Sequence, residues 1–121
     1  MALVLCTGAD PALMKTRKLL LEQAGHLVFT ATNELSLQKV CGAHNFDVVV
    51  IGQTLSRQIK TGLLKLVREY CPRALVLELY SVSTGKVLDD ADAWLEVPAD
   101  IPADLSAKVT ALAGWRAQSA N

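Results

Sequence analysis

Long apolar runs are missing from this chain. None approaches the ~18 residues a membrane helix needs, which excludes a helical anchor within it. An excess of either charge is missing too. Twelve Lys and Arg balance twelve Asp and Glu, and neither sign forms a block, so neither nucleic acid nor an anionic membrane is an expected partner. Cysteine is sparse and odd in number. Cys6, Cys41 and Cys71 lie far apart in apolar stretches, which suits reduced thiols packed as small hydrophobes in the cytoplasm. No charged start followed by a long apolar run opens the chain, which also fits the cytoplasm. His26 and His44 have no Cys or acidic neighbour at metal-ligand spacing, so they read as solvent-edge residues, and no metal or cofactor is expected. The glycine spacing of dinucleotide and P-loop motifs is absent, as is a nucleophile with its base and orienting acid. The chain therefore reads as a non-enzyme.

What is present is a chain of 121 residues, enough for one domain with a proper core. The run Phe46-Asp47-Val48-Val49-Val50-Ile51-Gly52-Gln53 organises the rest. A continuous β-branched strand of this kind hides its side chains only between two layers. Before it come a strand at Ala2–Cys6, a helix capped by Asp10 with Pro11 at its first position, and a strand at His26–Ala31. In the first helix Leu13, Leu20, Leu21 and Ala24 supply the apolar face, and Lys15, Arg17, Lys18 and Glu22 mostly the solvent side. A second helix, through Leu35, Leu37, Val40 and Cys41, is closed by Gly42.

After the organising strand, Ser56 caps a helix through Ile59, Leu63, Leu66, Val67 and Tyr70, stopped at Cys71-Pro72. A fourth strand spans Ala74–Tyr80 and a short fifth spans Ala93–Val97. Lys86–Asp90 leaves room for barely one helical turn between them, so the helix expected there is short or missing. A last helix runs from about Pro102 to Ala113, with a frayed tail beyond. Strands alternating with helices predict an α/β fold with a five-stranded parallel sheet covered on both faces. Ligands and chemistry in such sheets gather at the carboxyl ends of the strands.

Asp10-Pro11-Ala12-Leu13, Phe46–Ile51 and Ala91-Asp92-Ala93-Trp94-Leu95-Glu96-Val97-Pro98 stand in an order and spacing that resemble the receiver domain of bacterial response regulators. The resemblance covers residues 1–113 and leaves 114–121 as a C-terminal tail. It implies a flavodoxin-like three-layer sandwich with strand order 2-1-3-4-5 and a role in two-component signalling. Receivers accept a phosphoryl group on an aspartate ending the third strand, beside an acidic pair that holds Mg²⁺, a hydroxyl residue ending the fourth strand and a lysine after the fifth. The corresponding positions here are Gly52, the pair Gly8 and Ala9, Tyr80, and Val97. The resemblance also implies a cis bond between Val97 and Pro98.

These replacements remove the nucleophile, the anionic oxygens for a hard cation and the balancing ammonium. The expected function is a pseudo-receiver: a signalling and interaction module acting by protein contact without aspartyl phosphorylation. Two alternatives stand beside it, a small-ligand site in the altered pocket and a residual phosphoacceptor in a phosphorelay. Asp10, one residue past the degenerate pair, is a weak pocket contact or, more simply, the helix cap. Asp47 lies at the wrong end of its strand to substitute for Gly52. The resemblance gives Trp94 a coupling role towards the partner-docking face; the alternative for Trp94 and Tyr80 is plain packing. A shortened fourth helix would leave the fifth strand and last helix uncovered, which favours a protein partner or a homodimer on that side.

Overall fold

The structure, a computed structural model, describes residues 2–98 and 103–119, with the side chains of 117–119 left aside. Nine elements follow one another: β1 (Leu3–Thr7), α1 (Pro11–Gln23), β2 (Leu27–Ala31), α2 (Glu34–Ala43), β3 (Val48–Ile51), α3 (Arg57–Tyr70), β4 (Leu75–Tyr80), β5 (Ala93–Glu96) and α4 (Ala103–Ser119). The strands form one parallel sheet in the order β2-β1-β3-β4-β5. This is the flavodoxin-like architecture expected from the sequence.

β3 occupies the centre, and all of its residues are buried, because β1 and β4 flank it and helices cover both faces. Alternation along the strands divides the core in two. Leu5, Val49, Ile51 and Val76 point to the α2–α3 side with Leu37, Leu63 and Val67. Val4, Cys6, Val50, Leu77 and Leu79 point to the opposite side with Leu21, Val109 and Leu112.

No helix joins β4 to β5: residues 81–92 are turns and extended chain, as the short spacing predicted. A buried carboxylate holds this connection in place of helix packing. Glu78 accepts hydrogen bonds from the backbone N–H groups of Val87 (3.0 Å) and Leu88 (2.8 Å), while the Trp94 indole donates to the Leu88 carbonyl at 3.0 Å.

The helix ends differ from expectation at two glycines. α2 runs through Gly42 to Ala43 and ends at extended His44. α4 runs through Gly114 to Ser119 rather than stopping at Ala113. A glycine in a helix costs only about 1 kcal/mol relative to Ala, and tertiary contacts outweigh that here. The Arg116 guanidinium pairs with Asp47 at 2.8 Å and donates to the Arg73 carbonyl at 3.1 Å. The Pro102 start expected for this helix lies outside the described residues.

His26 is also not at the solvent edge. It is 8% exposed; its Nδ1 accepts from the Ala2 N–H at 3.2 Å and its Nε2 lies 2.9 Å from Thr110 Oγ1. His44 is exposed as expected and stacks against Phe29, ring centroids 4.4 Å apart.

Candidate functional site

The carboxyl ends of β1 and β3 meet where the ladder runs past the last strand residues. The Gly52 N–H donates to the Thr7 carbonyl at 3.0 Å, and the Thr7 hydroxyl donates to the Val50 carbonyl at 2.9 Å. This brings Gly8 and Gly52 side by side. A Cβ on Gly52 would lie 2.8 Å from the Thr7 carbonyl oxygen and 3.4 Å from both Gly8 Cα and Arg17 Nη1. Contact that close with a main-chain atom leaves glycine as the residue that fits without backbone movement. Gly8 is less confined, since a Cβ there would lie 3.3 Å from the flexible Met14 side chain.

Arg17 overturns its assignment to the solvent side. Met14, Arg17 and Leu21 are the buried residues of α1, spaced three and four apart so that they share one face. The inward stripe therefore includes a guanidinium, 6% exposed, whose Nη2 donates to the Gln53 side-chain oxygen. Burial pulls the Arg17 pKa down, with Cys6 and Asp10 acting in the other direction. Burial likewise pushes the Cys6 thiol up to about 12 against the pull of Arg17, so Cys6 sits beside the guanidinium as a neutral group.

The other residues singled out from the sequence do not join this centre. Asp10 is exposed and caps α1, accepting from the Ala12 and Leu13 N–H groups at 3.0 and 3.3 Å; its carboxylate is engaged as a cap. Ala9 is exposed beside it. Tyr80 alternates with Leu79 and so stands on the sheet face opposite the Gly52 Cβ direction, the face that carries Glu78 and Trp94. There Lys86 Nζ lies 5.9 Å from the Tyr80 ring and 5.0 Å from the Trp94 ring. Trp94 itself is half-buried against the α2–α3 core. Val97 packs against the other core, donates its N–H to the Tyr80 carbonyl at 2.8 Å, and precedes a cis bond to Pro98. Ser81, Ser83 and Thr84 bond to one another and to their own turn.

The Mg²⁺ that the resemblance implies does not fit these residues. Gly8 and Ala9 offer no carboxylate, and the charge that reaches the pocket is a cation. Among the described residues, no three His, Cys, Asp or Glu side chains gather in metal-binding proximity.

One polar pair escaped the sequence reading altogether. Lys60 (1% exposed) and Glu78 (0%) form a buried ion pair at 2.8 Å, and the Lys60 ammonium also donates to the Leu79 carbonyl at 2.8 Å. Lys60 lies three residues before Leu63 and seven before Val67, on the inward stripe of α3. The signal was a charge on each partner inside an otherwise apolar pattern. Surface clefts include one of about 210 Å³ beside Met14, Lys15 and Thr32, one of about 390 Å³ beside Leu64, Lys65 and Asp90, and one of about 120 Å³ beside Cys71 and Arg116.

This geometry is a flavodoxin-like receiver fold that brings Gly8 and Gly52 together beside a buried Arg17. Solved receiver structures match it along nearly its whole length. A response regulator receiver domain from Clostridium thermocellum superposes with TM-score 0.79 at 18% identity, covering 98% of this chain and 99% of that one. A CheY-like receiver domain from Methanospirillum hungatei gives 0.81 at 19%, covering 98% of each chain. A response regulator from Burkholderia pseudomallei, solved with a phosphorylated aspartic acid, a calcium ion and citrate, gives 0.73 at 26%, covering 99% of this chain and 74% of that one. No protein-family model and no curated protein matches the chain. Among the described residues, no helix is long and apolar enough to cross a membrane.

Proposed function

We propose that the chain is a receiver-like signalling module that acts by protein–protein contact and takes up no phosphoryl group on an aspartate. The observation that carries this reading is the closure at Gly52, where the phosphoacceptor position has no side chain and backbone and guanidinium crowd the space one would enter. The module is a binding protein of the cytoplasm rather than an enzyme. Its contact surface is the β5 and α4 side, where β5 is an edge strand with half-buried Trp94 and Leu95 and Trp115 of α4 is 54% exposed. A second copy of the chain is the simplest partner for such a surface. The ligand-binding alternative is the weaker one, because Arg17 and Gln53 occupy the pocket and satisfy each other.

The test is an amide NMR spectrum recorded with and without Mg²⁺ and beryllofluoride, a mimic of the aspartyl phosphate. An unchanged spectrum is expected. Shifts concentrated at Gly8, Gly52 and Gln53 would overturn the reading and restore a phospho-responsive pocket. Sedimentation of the same sample tests the dimer, and a monomer at high concentration would remove the second copy as partner.

A further inference from the structure

The far edge of the sheet carries a feature that the proposed function does not use. α2 and α3 end side by side there, and each brings a cysteine to the end. Cys41 lies in the last turns of α2 and Cys71 is the cap residue of α3. Both belong to one buried cluster. The Cys71 Sγ lies 3.6 Å from the carbonyl oxygen of Cys41 and 3.7 Å from that of His44, which places it against the Cys41 backbone. The two thiols also interact directly, and burial together with the neighbouring Cys71 pushes Cys41 up to about 12. Cys6 belongs to the core on the other side of the sheet, so it is outside this pair.

A second observation supplies an entrance. A surface cleft of about 120 Å³ is lined by Cys71 with Arg73 and Arg116, room for a few water-sized molecules and for a small peroxide. Cys41 does not line this cleft. Cys71 therefore stands between the cleft and Cys41, an order that suits an attacking and a resolving cysteine.

We propose that Cys41 and Cys71 form an oxidant-responsive dithiol that small hydroperoxides close to a disulfide, tying the end of α2 to the end of α3. The Cys71 thiolate attacks one peroxide oxygen and the O–O bond breaks. An alcohol, or water from hydrogen peroxide, is released, and Cys71 becomes a sulfenic acid. The Cys41 sulfur then attacks the Cys71 sulfur, the S–O bond breaks, and water leaves with the Cys41 proton. Two electrons pass from the sulfurs to the peroxide, and two thiols plus one hydroperoxide give one disulfide, one alcohol and one water. The inference stands apart from the proposed function, since it uses neither the Gly52 centre nor β5, and shares with the contact surface only Arg116 of α4 at the rim of the cleft.

The experiment is treatment of the reduced, folded chain with hydrogen peroxide under native conditions, followed by intact mass and peptide mapping. The expected product has lost about 2 Da, two hydrogens, and yields a linked peptide pair carrying Cys41 and Cys71. Cys6→Ala should react in the same way. Cys71→Ala should lose no hydrogens, and Cys41→Ala should stop at an oxygen adduct on Cys71, trapped by a sulfenic acid reagent. If either variant fails to fold, the linked pair in the wild-type chain still decides. Oxygen added without a crosslink, a bridge involving Cys6, or reaction only after unfolding in urea would each overturn the proposal.

Discussion

Lys60 and Arg17 are both buried cations near the carboxyl end of the sheet, and they are handled in opposite ways. On the α3 side the Lys60 charge meets a full counter-charge on Glu78 and a carbonyl from Leu79. Glu78 in turn holds the β4–β5 connection through Val87 and Leu88. On the α1 side the Arg17 charge meets a neutral amide, Gln53, beside Gly8 and Gly52. The first pair is a structural tie with charge matched to charge. The second is a cation set into a centre without the carboxylate that would match it. The difference separates the half of the carboxyl end that a matched ion pair ties together from the half where a buried cation meets only a neutral amide.

That contrast can be broken by substitution. Lys60→Met leaves Glu78 buried without its partner and should cost about 3–5 kcal/mol, read as a lowered urea midpoint at unchanged slope. The double variant Lys60→Met with Glu78→Leu should recover part of this, although the N–H groups of Val87 and Leu88 lose their acceptor. Arg17→Met should cost about 1 kcal/mol, since it removes a desolvated charge along with a hydrogen bond to a neutral group. A loss as large as that of Lys60→Met would show that Arg17 is equally structural, and the comparison would fail.

The smallest effect sharpens the rule at the other edge of the sheet, where a basic group is buried without charge. Burial holds the His26 pKa below its ordinary 6.5, with Asp47 opposing. As pH falls through 6.5 the unfolded chain binds this proton first, so stability should decline from there towards the folded-state pKa and then level off. Protonation also removes Nδ1 as acceptor for the Ala2 N–H. Denaturant titrations between about pH 7.5 and 5.5 would register the decline, and His26→Gln should flatten it.

The fold was legible because its signals are repeated. The buried β-branched run of β3, the Asp10-Pro11 start of α1 and the short spacing between Tyr80 and Ala93 each point to one architecture, and each stands in the structure. The site was half legible. That glycines stand at positions 8 and 52 could be read from the sequence, but the groups that fill the space beside them could not. Arg17 and Lys60 were hidden by the assumption that charged residues on a helix face solvent, which fails when one long side chain carries its charge to a buried partner. Tyr80 stands on the sheet face opposite the Gly52 Cβ direction, a matter of strand alternation that position in the sequence alone does not reveal. His26 depended on α4 passing behind it, a contact made across 84 residues that no local pattern records.

The tight approach of Gly52 to Thr7 also bears on how freely this position can change. An aspartate there is a simple change in sequence, yet its side chain would enter against a carbonyl oxygen and a guanidinium. Accommodating it needs β1 and β3 to part and α1 to withdraw its arginine. The glycine acts as a latch: a small residue that lets two strands and a helix close over it, and that no larger residue replaces without reopening them.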